Sequence, residues 1–206
     1  MNSLFDPIFK MLQKPAKLVT IVTFYIVAAF MLLVNLPDTD GGFFGVIGGL
    51  IIMVIMIALF AIVPTLLLLK KEDVAKKVFP FILFYWLLNE VTEFLSHGRW
   101  IRPKVTGLYV TIGIFEFLIA LAFIAAIVLI VLGMFKKSLD FGNLPYVIAA
   151  GTFLFYFIDF ILQLVREAKY VKGDWSDYIG IVISYLILPV GIFFAVLLFF
   201  PRQKNA

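Results

Sequence analysis

The sequence predicts an all-α integral membrane protein, a polytopic bundle of six transmembrane helices that forms one domain over residues 1–206. Three observations carry that prediction. Hydrophobic residues make up 64% of the 206-residue chain and charged residues only 15%, whereas globular chains run near half apolar and a quarter charged. The mean hydropathy is +1.11. Six apolar runs near the 20 residues a helix needs to cross a bilayer core fill almost the whole chain.

The elements follow in order. Residues 1–17 carry a basic start without a small-residue cleavage site after the first apolar run, so they do not read as a cleavable signal peptide. Within Asp6–Gln13, apolar Ile8, Phe9, Met11 and Leu12 lie opposite Asp6, Lys10 and Gln13. That pattern suits either a short helix in the cytoplasmic interface or a frayed tail. The spans are then Leu18–Leu36, Phe43–Leu69, Val78–Leu95, Val105–Phe135, Leu144–Val165 and Tyr178–Phe200. The third carries polar groups in its second half, and the fourth is longer than a bilayer requires. Pro80 and Pro145 fall near span starts, where proline is tolerated; Pro64 and Pro189 are interior and predict local kinks. In the second span Gly41, Gly45 and Gly49, with Gly48 beside them, form a ridge that lets another helix approach closely.

The charges orient the bundle. With the N-terminus cytoplasmic, eleven lysines and arginines lie inside, among them Lys14, Lys17, Lys70, Lys71, Lys76, Lys77, Lys136 and Lys137, and six outside. Positive charge accumulates on the cytoplasmic side, so both termini are expected in the cytoplasm and the protein in a plasma (inner) membrane. Inner ends of alternate spans repeat a basic signal about every 66 residues, at Lys70-Lys71, Lys136-Lys137 and Arg202 with Lys204. Phe24-Tyr25, Phe84-Tyr85 and Phe155-Tyr156 recur in the odd spans. Three tandem helical hairpins would produce these echoes; so would positive-inside statistics and aromatic belts alone.

Several function classes fall away. The chain has no cysteine and one histidine, which excludes disulfides, thiolate catalysis, iron–sulfur clusters, thiolate-bound zinc and multi-histidine metal sites. The net charge of +4 does not signal nucleic acid, because the basic residues cluster at span ends, where they meet lipid headgroups. No phosphate loop, dinucleotide fingerprint, haem ligand pair or paired nucleophile and base is present. No cofactor is expected, no metal is assigned, and the weight of the sequence falls against an enzyme.

The candidate site lies in the intramembrane polar groups. Charge at membrane depth is costly and is usually kept for a function. Trp86, Glu90, Glu93 and His97 share one face of the third span, Glu116 lies in the fourth, and Tyr156, Asp159, Gln163 and Arg166 share a face of the fifth. Counted along the helix rise, the acids fall in one slab of the membrane. They are expected either to line an outward-facing polar cavity that takes a cation or small cationic solute, or to pair with Arg99, Arg166 and tyrosine hydroxyls and lock the bundle. The first arrangement describes a transport or ligand-binding component. The second describes a non-catalytic accessory subunit that packs through its glycine ridge against a membrane-protein partner or a second copy.

The layout of six spans, this length and no soluble domain resembles the small six-helix substrate-binding components of vitamin transporters. The resemblance implies ligand capture near the outer face. It is one of plan only, because the Ala-x-x-x-Ala pattern of those proteins is absent: Ala28 and Ala29 are adjacent.

Overall fold

The computed structural model describes residues 6–34, 42–98, 107–135, 144–171 and 173–200. Among them the chain is helical, without strands. The helices are α1 (Asp6–Gln13), α2 (Ala16–Val34), α3 (Gly42–Leu68), α4 (Glu72–Gly98), α5 (Gly107–Phe135), α6 (Leu144–Arg166), α7 (Trp175–Val182) and α8 (Leu188–Phe199). A π-helical turn, Glu167–Val171, extends α6, and another, Ile183–Ile187, joins α7 to α8. Lipid offers the backbone no hydrogen bonds, so long Leu/Ile/Val/Phe runs satisfy their amides internally despite many β-branched residues.

Among the described residues five stretches are long and apolar enough to cross a membrane: Ala16–Leu33, Val46–Leu68, Gly107–Leu132, Leu144–Val171 and Trp175–Phe199. The stretch in α4 expected as a third span is not among them. Glu72, Asp73, Lys76 and Lys77 occupy the start of α4, and Asn89, Glu90 and Glu93 its second half. That helix also begins six residues before the expected Val78, because its charged first turns remain helical outside the apolar stretch. Pro80 is consequently interior to α4 rather than near its start. Pro64 is interior to α3.

The long helices form a closed ring in sequence order. Each packs on the next, from α2 on α3 through α6 on α8, and α8 closes back on α2. Aromatic rings fill the middle. Phe24 stacks on Phe79 at 6.4 Å between centroids and meets Phe60 edge-on at 6.5 Å, and Phe79 reaches Phe199 at 5.3 Å. Phe123 meets Tyr156 edge-on at 6.0 Å. Such pairs contribute about 0.5–1.5 kcal/mol each beyond their buried area. The outward faces are strongly apolar, with Leu33, Phe81 and Val147 about two-thirds exposed, a surface matched to lipid rather than water.

The helix ends are specified locally. Lys70 takes a left-handed conformation (φ 59°), and the amides of Lys71 and Lys70 bond to the carbonyls of Leu66 and Leu67 at 2.8 and 3.2 Å. This Schellman closure ends α3 and turns the chain into α4. At the same end Lys17 pairs with Glu72 at 2.7 Å. The short α1 occupies the expected residues and packs on α8 and α2. Leu12 sits against the small cluster of Ala16, Tyr146 and Leu197, while Ile8 and Met11 stay exposed.

The glycine that governs a helix crossing is Gly191. A Cβ there would lie 2.5 Å from Thr23 Oγ1 and 2.9 Å from the Phe24 ring, so α8 approaches α2 where only glycine fits. In the expected ridge, Gly41 and the surroundings of Gly45 and Gly49 lie outside the described residues, and a Cβ on Gly48 would meet nothing within 4 Å. The three aromatic pairs differ in what they face: Phe24 and Tyr156 are buried, while Tyr25 and Phe84 are exposed.

Candidate functional site

The site begins with two helix faces. Along α4, residues four apart stack on one side, so Trp86 lies beneath Glu90 and Tyr85 beneath Asn89. Along α6, Tyr156, Asp159 and Gln163 form one fully buried face. The faces meet at Tyr156. Trp86 Nε1 donates to the Tyr156 hydroxyl at 2.5 Å, and that hydroxyl donates to Glu90 Oε1 at 2.6 Å. The direction is fixed, because an indole can only donate and the phenol has one proton to give. Glu90, 2% exposed, is thus held by a relay of two aromatic donors.

Beside this relay opens a cavity of about 640 Å³. Its walls come from the C-terminal ends of α2 and α6, the middle of α4, the length of α7, the second π turn and Met56 of α3. Glu90, Arg166, Glu167 and Asp177 supply the charge, and Tyr85, Trp86, Tyr185 and Phe30 the aromatic surface.

The two π turns contribute Glu167, Ser184 and Tyr185 to this lining. Consecutive side chains of an α-helix point away from each other, yet Arg166 Nη2 reaches Glu167 Oε1 at 2.5 Å where α6 passes into its π turn. Glu167 is 4% exposed. The second turn, which carries Ser184 and Tyr185, has a local cause. Pro189 lacks an N–H, and its ring would clash with the Tyr185 carbonyl four residues earlier; the expected kink takes this form. π turns recur at functional sites. The Gln163 amide donates to the Tyr185 hydroxyl at 3.4 Å and so joins the α6 face to this turn.

The start of α7 is fixed by a capping box. Asp174 accepts from the Ser176 and Asp177 amides at 2.9 and 3.4 Å, and its own amide donates to Asp177 Oδ2 at 3.0 Å. The bond from the Ser176 hydroxyl above all, and those from the Ser176 and Asp177 amides, hold the Asp174 carboxyl below the usual carboxylate range.

The expected site residues divide accordingly. Glu90 and Arg166 line the cavity. Glu116, Asp159 and Gln163 are fully buried but do not line it. Glu93 and His97 lie in α4, with side chains outside the described residues. Arg166, a candidate partner for the intramembrane acids, pairs with Glu167. Glu167, Asp177 and Tyr185 are lining residues absent from the expected set. The spacing Asp174-x-x-Asp177 was a readable capping signal, whereas nothing in the hydrophobic period announces a π turn. Among the described residues no group of three or more His, Cys, Asp or Glu side chains could hold a metal ion.

No protein-family model, curated protein or solved structure matches this chain.

Proposed function

We propose that the protein is an integral membrane transport or ligand-binding component whose cavity takes a cation or small cationic solute from the outer side. The observation that carries this reading is the composition of the cavity wall. Glu90, Glu167 and Asp177 face one Arg166, a formal excess of two negative charges between low-dielectric walls, which concentrates cations. Tyr85, Trp86 and Tyr185 add ring faces that attract cationic groups.

In this reading α4 crosses the bilayer as the sixth span. It lies in the ring between α3 and α5, and its charged Glu90 is turned inward, away from lipid. The basic residues Lys14, Lys17, Lys70, Lys71, Lys76 and Lys77 then mark the cytoplasmic end, the cavity opens outward, both termini are cytoplasmic, and the membrane is the plasma membrane. The three-hairpin repeat remains part of this reading only through the spacing of its basic signals.

The test is a thermal-shift titration in detergent with simple inorganic and organic cations on the wild type and Glu90→Gln. A bound solute stabilises by mass action. The amide can still accept from Tyr156, so the variant keeps its fold and loses most of the cation response. An unchanged response in Glu90→Gln, or none in the wild type, refutes the reading.

One observation favours the second reading, an accessory subunit. Gly48 faces open space on α3, flanked by exposed Ile47, Leu50 and Ile51, and small residues on a lipid-facing surface suit close helix contact.

A further inference from the structure

We infer that a primary ammonium group sits at the cavity mouth between the carboxylates of Glu167 and Asp177, so that the solute is a primary amine with a small apolar body. The inference rests on the cationic-solute reading above and adds where the charged group is held.

Glu167 is almost wholly buried, and Arg166 occupies its Oε1. Its Oε2 is buried without a hydrogen-bond partner among the described residues. A buried carboxylate oxygen lacking a donor is rare in native proteins and calls for an unseen partner. Asp177 approaches from α7. A Cβ on Gly173 would stand 2.8 Å from Glu167 Oε2 and 2.5 Å from Asp177 Oδ2, so the two oxygens lie less than about 6 Å apart across a space that glycine alone leaves empty. The Asp174 amide donates to Asp177 Oδ2, but it brings no positive charge.

Arg166 offsets one of the two carboxylates, and the group of three retains one negative charge. Like charges this close in a partly desolvated site repel, and a cation between them relieves the repulsion. The donor count selects the cation. An ammonium has three N–H donors that make short bonds of about 2.7–2.9 Å to carboxylates, so it can bridge both oxygens and satisfy the orphan. A quaternary ammonium has none to give. A calcium ion wants 6–8 oxygen ligands, and among the described residues no third acidic group joins these two. Trp86, Tyr185 and Ile181 line the cavity wall and suit the carbon body of the solute.

The test uses n-butylamine, tetramethylammonium chloride and calcium chloride as probes at pH 7 and constant ionic strength, read by thermal shift in detergent. The proteins are the wild type, Gly173→Ala, Asp177→Asn and Glu90→Gln. Asp177→Asn keeps an acceptor for the Asp174 amide and serves if Gly173→Ala folds poorly. Butylamine is expected to raise the wild-type melting temperature saturably, with little response to the other two probes. Its apparent affinity should fall at least tenfold in Gly173→Ala and Asp177→Asn. An amine response that Glu90→Gln weakens but these two variants leave intact overturns the mouth site while the cavity reading stands. An equal or stronger response to tetramethylammonium or calcium overturns the primary-amine assignment. No response to any probe in the wild type overturns both.

Discussion

Replacing Gly191 by alanine tests the ring closure directly. The added Cβ would meet Thr23 Oγ1 at 2.5 Å and Phe24 ring carbons at 2.9 and 3.0 Å, against about 3.5–4.0 Å for an unstrained contact. Neither neighbour can yield easily. The Thr23 hydroxyl is tied to the Val19 carbonyl at 2.7 Å, and Phe24 is fully buried between Phe60 and Phe79. Relief therefore requires α8 to move off α2 or the aromatic centre to shift, an overpacking that costs about 1–3 kcal/mol. Alanine recovers up to about 1 kcal/mol of helix propensity, which leaves an expected net loss of about 1–2 kcal/mol. Gly113→Ala and Gly151→Ala supply the control, since a Cβ at either meets nothing within 4 Å. Both should be neutral or slightly stabilising. The assay is reversible unfolding in mixed micelles titrated with a denaturing detergent and followed by circular dichroism. If Gly191→Ala is as stable as the wild type, or if Gly151→Ala loses as much, the close approach of α8 to α2 does not limit the packing.

Tyr156→Phe removes the donor to buried Glu90 and the acceptor for Trp86; a hydrogen bond to a charged group is worth about 1.5–3 kcal/mol, so equilibrium unfolding should register a loss of that size, and a loss below about 0.5 kcal/mol would disprove the relay. The Asp174 carboxyl, held low by its capping bonds, lends stability that is present above the ordinary aspartate value near 4 and lost as pH falls through the lower folded value. The advantage in melting temperature of wild type over Asp174→Asn should shrink below about pH 4; a constant gap would contradict that assignment. The chain lacks cysteine, so single cysteines report topology cleanly. An impermeant maleimide added to intact cells should label Trp175→Cys, at a position 84% exposed, and not Asp73→Cys; the reverse pattern inverts the orientation.

Much of the helical layout was legible because the bilayer imposes a single length rule on apolar runs. The misreadings occur where that rule stops applying. Hydropathy marks membrane depth rather than helix ends, so the start of α4 at Glu72 and the interior position of Pro80 were hidden behind a charged first turn. Trp86 and Glu90 could be placed together because an α-helix returns to the same face after four residues. The same rule puts Glu167, four residues after Gln163, on the buried face of Tyr156 and Gln163, but it does not reveal that Arg166 beside it would turn to pair with it. Spacing alone also does not name every packing glycine. Three glycines four apart announce a smooth face, but only the tertiary arrangement decides which glycine another helix approaches, and among the described residues the tightest helix crossing falls at the isolated Gly191.

A ring whose helices meet in sequence order also dictates an order of construction. Each helix entering the bilayer finds its predecessor waiting, so most contacts are local along the chain, the condition under which folding is fast. The face of α2 that receives Gly191 is the exception. It waits until α8 arrives, with the Thr23 hydroxyl already satisfied by its own backbone and so tolerable in lipid meanwhile. Ser176, Asp177 and Tyr185 arrive just ahead of it, in α7 and the turn that follows. The cavity is thus incomplete until α7 and the turn after it are in place, and a nascent chain stopped before residue 175 would carry Glu90 and Glu167 without a chamber around them.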